Sequence, residues 1–350
     1  MQQSNTEIRT KKERNINLDL IRVLSMFCVI AVHTYPKPLA SNIIFTTVFL
    51  NLLYTCNGNF YMLSGHLNLR GRFETKRDYQ NYYAKKFISI IIPFFFISCV
   101  MAVYELLTKG AEEITLLVLV KKIYLMFMSE NIKIHLWFIY PLLGMLLAAP
   151  FLAKLFQAMS DWELKLLLWL ALLWNTVRIY LTADWGFGFS GCSWILEEWM
   201  LAFFAGYYSE RVIKADNKRK WYVLGAVCFI INIVGMVLLQ EKYMHGNDLA
   251  PLYVVFNIAL YSFLKNEIKI SSGKVRSVIQ FVARHSFTVY LIHWIVRLQI
   301  TPAIVTAERA TIYFCESVVV TFVISLLLAF AIDTALLFPL QKALRRKMVK

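Results

Sequence analysis

Apolar residues occur along this chain in long runs that short polar segments separate. A helix needs about 20 apolar residues to cross a bilayer. Ten runs approach this length, namely 17–36, 43–65, 87–108, 135–153, 166–182, 194–208, 221–240, 250–264, 281–300 and 312–341. An eleventh candidate at 114–128 is shorter and is interrupted by Lys121 and Lys122. The pattern predicts an all-α, polytopic membrane bundle of about ten transmembrane helices.

The lysines and arginines predict how this bundle is oriented. Cytoplasmic loops of membrane proteins carry an excess of both residues. With the N-terminus inside and ten spans, 27 of them lie in the cytoplasm and seven lie outside. A full crossing by 114–128 would remove this asymmetry, so that segment is expected to be an outer-surface or re-entrant helix. Both termini are then cytoplasmic, as basic tails at 1–16 and 342–350, around a transmembrane domain at 17–341.

Composition and charge narrow the class of protein further. Hydrophobic residues make up 59% and charged residues 17%, against about 45–50% and 25% in soluble domains. A disordered chain and an ordinary soluble enzyme are therefore excluded. The net charge of +15 lies in loop clusters, which argues against nucleic acid as a partner. The six cysteines form no CxxC pair and the histidines form no HxxxH or HExxH pair, so no metal site is expected.

Three ionisable residues fall in the first run, in the segment LDLIRVLSMFCVIAVH. Arg22 and His33 are eleven residues apart, which places both on one helix face about 16 Å apart along the axis. Asp19 lies one turn before Arg22 and is expected to orient it. An arginine near the cytoplasmic surface suits an anionic carrier, and a deeper histidine suits proton transfer. Alternatively, Arg22 snorkels to the headgroups and His33 only ends the helix.

The spacing of Arg22 and His33 resembles the first-helix signature of the acyltransferase-3 family, whose integral-membrane enzymes O-acylate cell-surface glycans. Five further stretches resemble the same family in the expected order. They are FYMLSGHL at 60–67, YAKKFISIIIP at 83–93, HLWFIYPLLGMLLAAPFL at 135–152, FFAGYY at 203–208 and HSFTVYLIH at 285–293. Together they cover essentially the whole chain.

The resemblance implies a cytoplasmic acyl-coenzyme A (acyl-CoA) donor as co-substrate, with no bound cofactor, and a hydroxyl acceptor. His33 matches the essential histidine of the family and Arg22 its partnered arginine. Lys86 falls where the family commonly has the first arginine of an RxxR pair, but Ser89 falls where the second is expected. The expected donor-binding residues are Arg70, Arg72, Lys85 and Lys86. The same cluster is also explained by positive-inside topology alone.

A second group of residues is expected to bind the acceptor or to shape the reaction cavity. It consists of His135, Trp137, Glu197, Glu198, Tyr290 and His293. Each has a plainer interpretation, as an interfacial anchor or as a hydrogen-bonded core histidine. The aromatic outer loop DWGFGFSGCS at 184–193 could stack on sugar rings or form part of an interfacial aromatic belt.

The sequence therefore predicts a multi-pass O-acyltransferase of the cell membrane. It is expected to move an acyl group, by default acetyl, from acyl-CoA to a surface or secreted polysaccharide or its lipid-linked precursor. His33 would act as general base while Arg22 positions the donor. The alternative is a transporter of a glycan or a small polar metabolite. The expected partners are the lipid bilayer, acyl-CoA and the glycan acceptor, and the chain could form a homo-oligomer.

Overall fold

The structure is a computed structural model that describes residues 15–108, 115–128, 135–184, 196–239, 249–300 and 305–349. Side chains are described within these ranges except at 126–128, 181–184 and 239. The described part is helical, with no strand, which confirms the predicted all-α class. Most of the N-terminal tail, and the aromatic outer loop beyond Asp184, lie outside the described residues.

The helices follow the apolar runs closely. They are α1 Ile16–Thr34, α2 Lys37–Ala40, α3 Leu50–Asn68, α4 Lys76–Lys86, α5 Ile92–Thr108, α6 Leu116–Met128, α7 Ile139–Ala158, α8 Asp161–Thr176, α9 Glu198–Arg211, α10 Lys218–Leu239, α11 Pro251–Asn266, α12 Gly273–Ile300, α13 Ala310–Ile332 and α14 Phe338–Met348. Four π-helical segments continue or precede them, at Phe45–Phe49, Phe87–Ile91, Val177–Asp184 and Asp333–Leu337.

The bundle buries several polar side chains within its apolar core and exposes many large apolar ones. Asn51, Asn175 and Asn257 are buried between helices, whereas large apolar side chains such as Phe151 and Leu327 are more than half exposed. A soluble protein rarely exposes so much contiguous apolar surface. Among the residues that the structure describes, five helical stretches are long and apolar enough to cross a membrane, namely Ile16–Thr34, Lys76–Thr108, Ile139–Ala158, Lys218–Leu238 and Ala310–Met348. The chain is a membrane helix bundle, while the count of ten spans and the cytoplasmic termini stay predictions.

Helix α7 begins at Ile139, four residues later than the apolar run beginning at 135. Pro141 lies in the first turn of α7, where a proline is most easily tolerated, although α7 also holds Pro150 in its interior. Residues 135–138 form turns, and both His135 and Phe138 in these turns are buried.

Helices α3 and α9 cross at the smallest separation their backbones allow. A Cβ atom on Gly65 would lie 1.7 Å from the carbonyl oxygen of Phe203, and one on Gly206 would lie 1.8 Å from that of Met62. Small residues commonly permit such close crossings in membrane bundles. Gly65 lies within α3, one turn before its end. Its role is therefore to let α9 approach α3 closely.

One end of the bundle, called the basic end below, gathers the start of α1, α4, the end of α11 and α14. The side-chain amide of Asn17 donates to the carbonyl oxygens of Lys265 and Ile268, at 2.8 and 2.9 Å. Helix α14 packs across α4 and the π-helical segment Phe87–Ile91. Helix α6 lies against α5, where Lys122 contacts the buried Glu105 at 2.7 Å. The outer-surface position of α6 stays a prediction.

Candidate active site

Arg22 and His33, the two predicted site residues of α1, occupy different environments. Arg22 is partly exposed toward the basic end and donates to Asp19 at 3.2 Å. Asp19 is only 3% exposed, so its carboxylate is fixed in place and restrains the guanidinium. Half-buried His33 lies three helical turns further along α1. Asp19 and Arg22 are therefore in contact, and the orienting role of Asp19 stays a prediction.

Three histidines from distant parts of the chain, His33, His135 and His293, form one cluster. The rings of His33 and His293 stack with centroids 5.4 Å apart, and His135 meets His293 edge-on at 5.2 Å. Trp294 lies beside the cluster, 5.3 Å from His33 and 5.6 Å from His135. The guanidinium of Arg297 lies over the ring of Trp294, with its central carbon 4.7 Å from the ring centroid. The cluster combines imidazole nitrogens with a rigid aromatic wall.

Hydrogen bonds fix two of these histidines. The Tyr290 hydroxyl donates to the carbonyl oxygen of His135, and Nε2 of His135 lies 3.3 Å from the carbonyl oxygen of Leu291. Nδ1 of His293 lies 2.6 Å from the carbonyl oxygen of Tyr290, a contact that requires a proton on Nδ1. In the neutral ring, Nε2 of His293 then carries the lone pair. That buried Nε2 has no hydrogen-bond partner among the described residues.

Two cavities lie on either side of this arrangement. The first, called the Arg22 cavity, has a volume of about 310 Å³ and is lined by Arg22, Lys86 and a largely apolar wall. The second, called the His33 cavity, has about 280 Å³ and is lined by His33, His135 and Trp137 among others. The chain therefore separates a cationic chamber from a histidine chamber.

The two cavities share a wall made of Phe138 and Tyr290. Both residues line both cavities, and their ring centroids are 5.8 Å apart. The Tyr61 hydroxyl donates to the carbonyl oxygen of Phe138 at 3.1 Å, which fixes the turn before α7. On α12, Ala283, Ser286 and Tyr290 recur at the three- and four-residue spacing of one helix face. That face lines the Arg22 cavity up to the shared wall.

Helix α4 brings the predicted Lys85 and Lys86 to the basic end. Its first turn is closed by a capping box, in which Asp78 accepts hydrogen bonds from the backbone and side chain of Thr75. The backbone of Glu74 also donates to Asp78. A carboxylate in this first-turn position favours the helix N-terminus. Lys86 lines the Arg22 cavity, and Lys85 lies in a neighbouring groove.

The other two cations expected to bind the donor lie elsewhere. Arg70 contacts Glu210 at 3.2 Å, and Glu210 also accepts from Lys265 at 2.7 Å. Arg70 further contacts His66 at 3.3 Å, so it belongs to an ion-pair cluster between α3, α9 and α11. Arg72 is exposed. Neither arginine lines the Arg22 or the His33 cavity, and their donor-binding role stays a prediction.

Glu197 and Glu198 form a second cluster at the start of α9. Glu197 accepts from Trp174 and from Arg178, each at 2.7 Å, and Arg178 also reaches Glu198 at 3.2 Å. Glu198 has φ of 48°, a conformation that costs energy for a non-glycine residue. Trp199 follows directly and stacks on Tyr61. The two glutamates line neither cavity, and their acceptor-binding role also stays a prediction.

Several residues of the site are absent from the expectations drawn from the sequence. Phe138 and Trp294 complete the walls around the histidines, and Asn57 lines the His33 cavity. Trp294 follows His293 directly in the sequence, so an aromatic residue next to a membrane histidine is a usable signal. Phe138 and Asn57 resemble ordinary helix residues, and only the three-dimensional contacts distinguish them.

Comparison with protein families gives one match, to the family model described as an acyltransferase domain, over residues 15–332. Comparison with curated proteins and with solved structures gives no match. The matched range is most of the chain and contains every residue that lines the Arg22 and His33 cavities. The chain therefore belongs to the acyltransferase-3 family and is a membrane acyltransferase.

Proposed function

We propose that the protein is an O-acyltransferase that moves an acyl group, acetyl by default, from cytoplasmic acyl-CoA to a hydroxyl group. The proposed acceptor is a cell-surface or secreted polysaccharide or its lipid-linked precursor. The observation that carries this proposal is the pair of cavities that meet at Phe138 and Tyr290. One cavity offers cations for a phosphorylated donor, and the other offers histidines for a hydroxyl acceptor.

The Arg22 cavity suits the donor. Arg22 and Lys86 supply positive charge near its mouth, and the wall contributed by Leu142, Leu146 and Phe287 is apolar. An acyl-CoA enters with its uncharged arm and thioester foremost, because its phosphates are held by cations and its acyl group by apolar surface. The thioester then reaches the wall formed by Phe138 and Tyr290, opposite His33.

His33 performs the proton transfers. Its imidazole accepts the proton of the acceptor hydroxyl as the hydroxyl oxygen attacks the thioester carbonyl carbon. The carbon–sulfur bond breaks, and the departing thiolate takes the proton back from the imidazolium. The ester and free coenzyme A are the products. His293 stacks on the His33 ring and Trp294 meets it edge-on, and His135 in turn contacts His293.

The test compares surface glycans by mass spectrometry from cells that carry wild type, His33→Ala, or no protein. One acyl mass increment is expected with wild type and in neither other strain. Leu24→Ala changes the 39% exposed, opposite part of α1 and is the matched control, which should retain the increment. Membrane levels of all variants are measured in parallel.

Two outcomes would overturn the proposal. Equal acylation in wild type and in the strain without protein would exclude the acyltransferase assignment to glycans. If glycan export or metabolite uptake differed instead, a transporter would explain the cavities better. Full acylation by a normally inserted His33→Ala protein would remove His33 from the chemistry.

A further inference from the structure

A third cavity opens beside the Arg22 cavity at the basic end. It is a groove of about 890 Å³ formed by α4, α12 and α14. Its cations, which define the basic groove below, are Lys85, Arg284, Lys342, Arg345 and Arg346. The family match ends at residue 332, so α14 lies beyond the part of the chain that the match covers.

Helix α14 presents three of its four cations to the groove. Lys342, Arg345 and Arg346 are three and four residues apart, so they are neighbours on the helix surface. Pro339 stands in the first turn of α14, a position that a proline tolerates. From the facing helix α12, the guanidinium of Arg284 covers the ring of Phe338 at 4.5 Å. Three separate elements thus direct positive charge into one groove.

Among the described residues, no carboxylate lines the basic groove, and only Arg284 has a nearby one, Asp333 behind it in the bundle. Other cations at the basic end are paired with carboxylates. Arg70 and Lys265 pair with Glu210, and Lys218 pairs with Glu267 at 2.6 Å. Like charges held together cost energy unless an anion joins them. Three arginines among the five cations favour phosphate, because a guanidinium binds it through two parallel hydrogen bonds.

The basic groove adjoins the Arg22 cavity. Ser89, in the π-helical segment Phe87–Ile91, lines both. Lys85 lines the groove, and its neighbour Lys86 lines the cavity. On α12, Arg284 lines the groove, and Ala283 and Ser286 on either side of it line the cavity. From Arg284 to Tyr290 is six residues, or about 9 Å along α12. An anion in the groove therefore lies at the entrance of the cavity that ends at the shared wall.

We propose that the basic groove binds the phosphate groups of acyl-CoA while the rest of the donor extends into the Arg22 cavity. This inference rests on the proposed function. Two phosphate-bearing ligands share the required chemistry, the nucleotide end of acyl-CoA and an anionic lipid headgroup. The proximity to Arg22 and Lys86 favours the donor. The groove also supplies the second cation that Ser89 does not provide at the RxxR-like position.

The test measures binding to detergent-solubilised, full-length protein without added lipid. Wild type and Arg345→Ala/Arg346→Ala are titrated with coenzyme A, with dephospho-coenzyme A, which lacks the 3′-phosphate, and with short-chain phosphatidylglycerol. The matched control is Arg219→Ala/Lys220→Ala, which removes two exposed charges from α10. Thermal unfolding establishes that each variant is folded.

The groove variant is expected to bind coenzyme A at least tenfold more weakly, while the control binds it as wild type does. Wild type should prefer coenzyme A to dephospho-coenzyme A, and the groove variant should lose most of this preference. In turnover assays, KM for acetyl-CoA should rise and kcat should change little, since the groove does not touch the reacting atoms.

Unchanged coenzyme A affinity in the folded groove variant would overturn the inference and leave the proposed function intact. If phosphatidylglycerol binding alone fell, the groove would be a lipid headgroup site and the donor assignment would be wrong. If wild type bound neither coenzyme A compound, both the inference and the proposed function would fail. A lost preference with normal glycan acylation at high acetyl-CoA would support both.

Discussion

Replacing Gly65 by alanine tests whether the close crossing of α3 and α9 holds the site together. The new methyl group would lie 1.7 Å from the carbonyl oxygen of Phe203 and 2.7 Å from its carbonyl carbon. Ordinary contact distances begin at 3.4 Å, so the helices must separate. The obstacle is backbone, which cannot rotate out of the way as a side chain can.

The magnitude follows from two opposing terms. Overpacking of a close-packed interior costs about 1–3 kcal/mol, and a clash with backbone belongs at the upper end. Alanine in place of glycine inside a helix returns about 0.5–1 kcal/mol. The net expectation is a destabilisation of about 2 kcal/mol. Because Ser64 lines the Arg22 cavity, separation of the helices should also lower acyl transfer.

The assay is thermal unfolding of the purified protein in detergent, with acyl transfer measured on the same samples. Gly144→Ala is the matched control, since a methyl group there meets nothing within 4 Å. The melting temperature should fall for Gly65→Ala and should be unchanged or higher for Gly144→Ala. A Gly65→Ala protein whose melting temperature equals or exceeds that of wild type would refute the argument from close packing.

Two further substitutions test how the site residues are positioned. Asp19→Asn keeps the shape of the side chain but removes the charge that contacts Arg22 at 3.2 Å. In steady-state kinetics, KM for acetyl-CoA should rise severalfold. An unchanged KM would show that the position of Arg22 does not depend on Asp19. Tyr290→Phe keeps the wall between the cavities but removes the hydrogen bond to the carbonyl of His135, so stability should fall by about 0.5–1.5 kcal/mol. In the same variant, kcat should fall while KM changes little. A folded Tyr290→Phe protein with the kcat of wild type would show that catalysis does not depend on the position of His135.

The helices could be predicted from the sequence because bilayer thickness imposes a length and the basic loops separate the runs. The contact between Asp19 and Arg22 could be predicted for a similar reason, since residues three apart on a helix are neighbours. Both inferences depend on local periodicity. The late start of α7 at Ile139 was not predicted, and Pro141 alone does not indicate it, because α7 accommodates Pro150 in its interior.

The rest of the site depends on contacts between distant segments. His33, His135 and His293 stand far apart in the chain, and no spacing rule brings their rings within stacking distance. The same holds for Arg70, which the sequence groups with Lys85 but which packs against Glu210 in the fold. Conversely, Arg345 and Arg346 resemble an ordinary basic tail in the sequence, and they line the groove only because α14 crosses α4.

The position of Tyr290 explains why one helix can serve both halves of the site. Helix α12 is continuous from Gly273 to Ile300, without the π-helical segments that interrupt the walls formed by α4–α5 and α13–α14. Its residues therefore keep a fixed spacing, with Arg284 at the groove, Tyr290 at the shared wall and His293 three residues beyond. A donor anchored by its phosphates at one end would have its reactive end placed by the same helix that carries Tyr290 and His293. Since acyl transfer depends on bringing two reactants into contact at one point, a continuous α12 that lines the groove, the shared wall and the histidine cluster suits the proposed reaction.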